Sequence, residues 1–170
     1  MKAIVAVDGH WAIGKNGAML ARNPIDMKFF REATEGHVVV MGRKTLASFP
    51  GGRPLKNRVN VVVSTTRPAE DTRIDENTRL ICVGSYEDLF RVLTAWPKED
   101  IFLIGGGMLY RDLLSECRTA YVTYMKNIFP EADTWYPNLD EDPEWELRES
   151  SEWKTFEEIT FSFRTYQRRA

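Results

Sequence analysis

Six short apolar runs, each without alternation of apolar and polar residues, constrain the fold of this chain more than any other feature. They are Ala3 to Val7, Val38 to Met41, Val59 to Val63, Leu80 to Val83, Ile101 to Ile104 and Tyr121 to Thr123. Such runs are typical of strands that are buried on both faces of a sheet. A sheet of this kind needs covering layers on both sides, which favours an α/β fold.

Segments with helical spacing separate these runs, at Ile25 to Thr34, Arg43 to Ser48, Tyr86 to Ala95 and Met108 to Leu114. The alternation predicts a mostly parallel central β-sheet flanked by helices on both faces. In the tail, Trp145 to Trp153 and Thr160 to Gln167 alternate large apolar with polar residues and have no helix between them. We therefore expect a C-terminal antiparallel hairpin at the sheet edge. Because no linker or repeat divides the chain, residues 1–170 are expected to form one domain.

Composition excludes several classes of function. Hydrophobic residues make up 43% and charged residues 28% of the chain, as in an ordinary folded domain. The formal net charge is -2 and no Lys/Arg-rich run is present, so nucleic acid is not an expected partner. No stretch approaches the roughly 20 apolar residues of a membrane span, and no signal-peptide core is recognisable. We expect no membrane association and a cytoplasmic location.

Cysteine and histidine chemistry has little material in this sequence. The two cysteines, Cys82 and Cys117, are far apart in apolar surroundings, and we expect them to be buried free thiols. With only His10 and His37, the chain offers neither a histidine relay nor a zinc site, and no metal is expected. Catalytic chemistry must therefore come from other side chains.

The carboxylate of Asp26 has two interpretations. Asn23-Pro24 predicts an N-cap followed by the first helical turn, which places Asp26 where an acid commonly completes a cap. Helical spacing, however, puts Asp26 on the apolar stripe of Phe29, Phe30 and Ala33, opposite a polar stripe. The polar stripe consists of Lys28, Arg31, Glu32 and Glu35. An apolar setting without a cation raises the pKa of a carboxylate, so we favour a role for Asp26 in proton transfer.

Two strand-to-helix junctions are candidate phosphate sites. Ile104 to Met108 contains three successive glycines, which let a ligand approach the backbone at a helix amino terminus, although a simple tight turn is equally compatible. Met41 to Thr45 repeats the arrangement with two cations and a hydroxyl. Ser64 to Arg67 ends the next strand with groups that suit a 2′-phosphate, but for Arg67 alone a solvated turn is favoured.

The segment from Asp8 to Asn23 contains a near match to a P-loop. Its Gly9 to Asn16 portion ends in Asn instead of the Ser or Thr that would bind magnesium, and no helix begins directly after it. A nucleotide triphosphatase is therefore not expected. We interpret the whole segment as a mobile loop at the ligand end of the first strand.

Taken together, these motifs resemble the dihydrofolate reductase family, of bacterial type, over essentially the whole chain. The matching segments are Ala6-Val7-Asp8, Ile13-Gly14, Asn16-Gly17-Ala18-Met19, Pro24-Ile25-Asp26, Phe29-Phe30, Val40 to Thr45, Arg53-Pro54-Leu55, Arg58-Val59-Asn60, Ile104 to Gly107 and Tyr121-Val122-Thr123. The resemblance implies NADPH-dependent reduction of dihydrofolate to tetrahydrofolate, which is a step of tetrahydrofolate biosynthesis and one-carbon metabolism. It also implies that the protein is an antifolate target. It favours a monomer.

The resemblance also implies roles for individual residues. Asp26, supported by Thr123, would bind the pterin ring and promote protonation of its imine, while Arg58 would bind a carboxylate of the glutamate tail. The other implied substrate contacts are Ile4, Val5, Met27, Phe30, Phe49 and Ile104. The implied NADPH contacts are Ala6, Ile13, Gly14, Ala18, Met19, Gly42, Arg43, Lys44, Thr45, Ser64, Thr65, Gly105, Gly106, Gly107, Met108, Leu109 and Tyr110.

The chain departs from the family pattern in two places. Leu20-Ala21 replaces the usual Pro-Trp, so the tryptophan that contacts substrate through water is missing. The stretch from Phe49 to Gly52 is slightly longer than in common bacterial versions, which predicts a differently shaped pocket wall.

Two rival functions stay open at this point. One is the pyrimidine reductase of riboflavin synthesis, which does not need Asp26 and Arg58 for a pterin glutamate. The other is a catalytically weak homologue that binds folate and NADPH, for which Ala21 is the single hint.

Overall fold

The computed structural model describes all 170 residues and contains twelve strands and four α-helices. The strands are β1 (Lys2–Val7), β2 (Ala12–Gly14), β3 (Val38–Gly42), β4 (Val59–Val63), β5 (Glu70–Asp75), β6 (Thr78–Val83), β7 (Ile101–Gly105), β8 (Thr119–Met125), β9 (Thr134–Trp135), β10 (Trp145–Ser150), β11 (Lys154–Phe156) and β12 (Ile159–Arg168). The helices are α1 (Pro24–Thr34), α2 (Arg43–Ser48), α3 (Tyr86–Leu93) and α4 (Gly107–Leu113).

Ten of the strands form one sheet, in the order β10-β12-β8-β1-β7-β3-β4-β6-β5, with β11 also paired to β12. The six strands from β8 to β6 in this order are those predicted from the apolar runs, and every neighbouring pair among them is parallel. The predicted mostly parallel sheet is therefore confirmed.

Helices cover both faces of the sheet. On one face, Phe29, Phe30 and Ala33 of α1 and Leu46 of α2 pack with the cluster that contains Ile4. On the other face, α3 and α4 pack against the larger cluster that contains Ala3, Val38 and Val61. These two packed layers position the carboxyl ends of β1, β3, β4 and β7 along one edge of the sheet.

The predicted tail hairpin is also confirmed. Strand β10 pairs antiparallel with β12, with Trp145 opposite Arg168. Strand β12 in turn pairs antiparallel with β8, with Phe163 opposite Thr123. The tail therefore extends the sheet on the side of β8, which brings Phe163 next to the predicted site.

Several details differ from the predictions. Strand β5 was not predicted, and it pairs antiparallel with β6 at the far edge. The predicted loop from Asp8 to Asn23 contains β2, which pairs with β9 in a separate two-stranded sheet. The interpretation of this segment as a loop throughout was wrong, because the pairing depends on residues far along the chain.

None of the helices has the length and apolar character that a membrane crossing requires. Both cysteines are buried and unpaired, as predicted.

Candidate active site

The amino terminus of α1 separates the two interpretations of Asp26. The cap is Asn23, whose Oδ1 accepts hydrogen bonds from the backbone N–H groups of Ile25 at 3.2 Å and Asp26 at 3.3 Å. The Asp26 side chain instead accepts a hydrogen bond of 2.5 Å from the Thr123 hydroxyl at its Oδ1. The side chain of Asp26 therefore takes no part in the cap, and its carboxylate is directed towards the sheet.

The environment of Asp26 favours the protonated form of its carboxyl group. Burial raises the pKa of this carboxyl group, and the hydrogen bond from Thr123 opposes the rise by stabilising the charged form. No lysine, arginine or histidine contributes to this change in the pKa of Asp26. The Asp26 carboxyl thus accepts a proton more readily than an ordinary aspartate does.

Most of the predicted pterin-pocket side chains come together beside Asp26. Ile4 belongs to the buried cluster on the α1 face, and Phe30, Phe49 and Ile104 pack against that cluster. Met27 lies at the helix surface with 47% of its area exposed. Ile4, Phe30, Phe49 and Ile104 thus form one apolar cluster, of the kind that lines ligand sites.

Of the predicted contacts on β1, Val5 lies elsewhere and Ala6 lies beside the site. Val5 packs in the larger cluster on the opposite face of the sheet, so its side chain does not join Ile4. Ala6 is half-buried on β1 and is paired in register with Thr123, which places it next to the partner of Asp26.

The Arg58 side chain is bound to the carboxyl-terminal turn of α1. Its side chain is buried, with Nε donating to the Thr34 hydroxyl at 3.0 Å and Nη1 to the Lys56 carbonyl at 2.6 Å. Burial lowers the pKa of the guanidinium, an effect that Glu35 partly offsets. Because its rotamer is fixed by these contacts, Arg58 presents a cation in a defined orientation.

At the glycine-rich junction between β7 and α4, the backbone lies close to neighbouring side chains. Gly105 has a φ of 111°, and a Cβ there would lie 2.8 Å from the Tyr110 ring. A Cβ on Gly107 would lie 2.6 Å from Cγ2 of Thr134. Both positions therefore require glycine. A Cβ on Gly106 would be 3.5 Å from the Thr45 hydroxyl, so the two candidate phosphate junctions are adjacent.

The first residues of α4 differ in their accessibility. Met108 is 62% exposed, whereas Leu109 and Tyr110 are buried. The Tyr110 hydroxyl donates to the Ile4 carbonyl at 2.6 Å. Leu109 and Tyr110 thus support the junction from beneath, whereas Met108 is accessible to a ligand.

The junction between β3 and α2 provides cations at the same edge of the sheet. Arg43 and Lys44 are exposed. A Cβ on Gly42 would lie 3.5 Å from the Leu109 side chain. At the end of β4, Ser64 is buried and Thr65 is exposed.

The hydroxyl of Ser64 organises the turn that follows β4. Its Oγ accepts hydrogen bonds from the backbone of Thr66 at 3.2 Å and of Arg67 at 3.1 Å. Arg67 itself pairs with Glu70 at 3.3 Å, in keeping with its interpretation as a turn residue.

The segment between β1 and α1 contains four of the predicted NADPH contacts. Ile13 and Gly14 lie on β2, and Ala18 and Met19 follow it as exposed residues. The backbone N–H of Asn16 donates to Asp133 at 2.9 Å, which links this segment to the one before β9.

Sequence reasoning missed Asp8 as a structural residue of the site. Its buried carboxylate accepts hydrogen bonds from the backbone N–H groups of His10, Ala12 and Phe129. An acidic residue directly after a buried strand was the one available signal, and it does not distinguish a buried acceptor from a loop carboxylate.

Comparison with known proteins gives a consistent result. A family model described as dihydrofolate reductase matches residues 1–168. The chain is 36% identical over 149 residues to a dihydrofolate reductase of Bacillus subtilis, covering 88% of this chain and 82% of the relative. It is 34% identical over 144 residues to the dihydrofolate reductase of Haemophilus influenzae, with coverage of 85% and 82%. A bifunctional dihydrofolate reductase-thymidylate synthase of Glycine max is 37% identical over 153 residues, covering 82% of this chain and 28% of that longer protein.

Proposed function

Because the chain belongs to the dihydrofolate reductase family and is an NADPH-dependent oxidoreductase, we propose that Asp26 assists protonation of dihydrofolate during its reduction to tetrahydrofolate. The observation that supports this role most directly is the Asp26 carboxyl group itself. It is partly buried beside an apolar pocket, is bound to Thr123, and has no cationic partner.

The reduction adds a hydride to the carbon and a proton to the nitrogen of one carbon–nitrogen double bond of the pterin. When bound, NADPH supplies the hydride. Asp26 binds the pterin and assists delivery of the proton to that nitrogen, because a carboxyl group with a raised pKa is protonated over a wider pH range. Thr123 orients the carboxyl group through its hydroxyl.

The residues at the carboxyl ends of the strands fit NADPH. A Cβ on Gly106 would lie 3.5 Å from the Thr45 hydroxyl, and the absence of a side chain at this half-buried position would let a phosphate approach the backbone. Arg43 and Lys44 supply positive charge close to this position. Ser64 and Thr65 at the end of β4 would bind the 2′-phosphate together with Arg43. The other residues of this group are Ala6, Ile13, Gly14, Ala18, Met19, Gly42, Gly105, Gly107 and Met108, with Leu109 and Tyr110 beneath them.

The substrate contacts follow the apolar surface beside Asp26. Ile4, Phe30, Phe49 and Ile104 would pack against the pterin and aminobenzoyl rings, with Met27 at the entrance and Val5 contributing its backbone. Arg58 would bind a carboxylate of the glutamate tail, since its buried guanidinium is already oriented by Thr34.

A single substitution tests the role of Asp26. Asp26→Asn retains the shape of the side chain but removes the titratable proton. We expect hydride transfer at neutral pH to fall by about 100-fold or more, the usual contribution of a positioned acid–base group. Binding of NADPH, measured by fluorescence titration, should be unchanged because Asp26 lies outside the cofactor contacts. Full turnover by the variant would exclude the proposed role.

An assay of NADPH oxidation distinguishes an active member of this family from an inactive one. Rapid NADPH oxidation that requires dihydrofolate would exclude a catalytically weak binder. The name shared by the quoted relatives disfavours the pyrimidine reductase of riboflavin synthesis, and a test of its substrate in the same assay provides the control.

We further propose that the enzyme is a monomer of the cytoplasm. Both edges of the sheet carry charged residues, on Glu70–Asp75 of β5 and on Trp145–Ser150 of β10, which disfavours edge-to-edge pairing of two copies. Two unpaired thiols suit a reducing compartment. Light scattering on the purified protein tests the mass, and cell fractionation tests the location.

A further inference from the structure

One cleft of the molecule is lined by none of the predicted site residues. Its volume is about 420 Å³, and it opens between α1 and the strands of the tail. The side chains of Phe29, Tyr121 and Phe163 line it, together with Glu149 to Ser151 of β10 and its neighbours. We call it the outer cleft. Neither Asp26 nor Thr123 lines this cleft.

Of the three aromatic side chains that line the outer cleft, Phe29 packs against both of the others. The ring centroids of Phe29 and Phe163 are 4.8 Å apart, and those of Phe29 and Tyr121 are 6.4 Å apart. These distances are typical of stabilising aromatic contacts. We call Phe29, Tyr121 and Phe163 the aromatic wall.

The aromatic wall adjoins both partners of the hydrogen bond between Asp26 and Thr123. Phe29 follows Asp26 by three residues on α1, which places the two side chains on the same helix face. Phe163 is directly opposite Thr123 in the antiparallel pair of β8 and β12, so their side chains lie on the same face of the sheet. Two side chains that line the outer cleft, Phe29 and Phe163, are thus the neighbours of Asp26 and Thr123 in helix spacing and strand pairing.

We propose that Phe163, acting with Phe29, is a positioning residue that keeps water of the outer cleft away from Asp26 and fixes the carboxylate against Thr123. Its catalytic consequence rests on the proposed role of Asp26 in protonation, whereas its effect on the titration of Asp26 does not.

The groups around Asp26 make water access the dominant influence on its protonation. Strand β8 contributes the Thr123 hydroxyl, and α4 contributes Tyr110, whose hydroxyl is bonded to the Ile4 carbonyl. Ile4 and Ala6 of β1 are apolar, and Lys2 of the same strand lies over the rings of Phe102 and Tyr121. The charged residues that line the outer cleft are Glu149 and Arg164, and Arg22 before α1 is exposed. Burial is the largest cause of the raised pKa of Asp26, and no charged side chain contributes. Admitting water through the wall would therefore lower this pKa.

The proposal is tested by titrating Asp26 directly in the protein without ligands. The carboxyl carbon of Asp26 is followed by NMR against pH in the unmodified protein, in Phe163→Leu and in Phe163→Ala, with Asp26→Asn identifying the signal. We expect the midpoint to move towards that of an ordinary aspartate, more in the alanine variant than in the leucine variant. Phe163→Tyr, which keeps the ring, should restore the midpoint.

A matched control removes the same group from a neighbouring position. Phe156 packs against the same small cluster of Met125, Ile159 and Phe161 as Phe163 does, but it does not line the outer cleft. Phe156→Leu should leave the midpoint unchanged, which separates the proposed effect from a general loss of packing. If Phe163→Ala fails to fold, Phe163→Leu and Phe29→Leu carry the test. An unchanged midpoint in these folded variants would overturn the proposal.

Kinetics separate this proposal from the proposed role of Asp26. The pH profile of hydride transfer in Phe163→Leu should move to lower pH together with the NMR midpoint. A shifted NMR midpoint with an unshifted pH profile would support the positioning role of Phe163 and contradict the role of Asp26 in protonation.

Discussion

Replacing Asp8 by alanine should destabilise the protein strongly, although Asp8 lies outside the apolar core. Its Oδ1 accepts hydrogen bonds from His10 N at 2.8 Å and Ala12 N at 3.0 Å, and its Oδ2 accepts one from Phe129 N at 2.9 Å. The carboxylate is 1% exposed, so Asp8→Ala leaves three buried or half-buried donors without their acceptor. A buried donor without its acceptor costs about 1–3 kcal/mol, and we use the low end because water can enter the vacated space. At about 1 kcal/mol for each donor, the free energy of unfolding should fall by about 3 kcal/mol.

Asp8→Asn should have a smaller effect for a geometric reason. Its amide oxygen can replace Oδ1, but its NH₂ group then faces the N–H of Phe129, so a loss of about 1–3 kcal/mol is expected. Urea unfolding with an unchanged m-value measures both losses. Glu131→Ala, at an exposed position, is the control and should change stability by less than about 0.5 kcal/mol. A loss below about 1 kcal/mol for Asp8→Ala would refute the reasoning.

Three further predictions concern charge. Arg43→Ala should weaken binding of NADPH far more than that of NADH in parallel titrations, and equal effects would exclude a 2′-phosphate contact. The hydrogen bond from Asn16 N lowers the pKa of Asp133, so the bond should persist above that pKa and be lost as pH falls through it. Amide exchange at Asn16 measures this loss, and Asp133→Asn is the control. Since the folded-state pKa of Asp26 is raised, its contribution to stability is present at low pH and lost as pH rises through that pKa; Asp26→Asn should therefore gain stability over the unmodified protein between acidic and neutral pH, and a constant difference would contradict this linkage.

The central sheet was predictable because its strands are buried on both faces and therefore consist of continuous apolar runs. Strand β5 was not, since Glu70–Asp75 contains one apolar residue, Ile74, and lies at an exposed edge. Its conformation depends on pairing with β6, with Arg79 bound to Asp71 at 2.7 Å. Local sequence does not encode such a pairing.

The site was predictable to the extent that helical spacing and strand ends determine it. Asp26 is a candidate because its helix has a clear apolar stripe, and the glycine junction is one because it follows a buried strand. Phe163 was not identified, since its position beside Thr123 arises from the pairing of β12 with β8 across the tail. Long-range register of this kind is set by tertiary packing, which single-sequence patterns do not contain.

The measurement that tests the account most directly is the pH dependence of hydride transfer in single turnovers, compared between the unmodified protein and Asp26→Asn. The rate in the unmodified protein should fall as pH rises through the raised pKa of Asp26, and the midpoint should match the NMR titration of that carboxyl group. Asp26→Asn should be slow and should lack this midpoint. The same rate and the same midpoint in Asp26→Asn would show that Asp26 does not assist protonation.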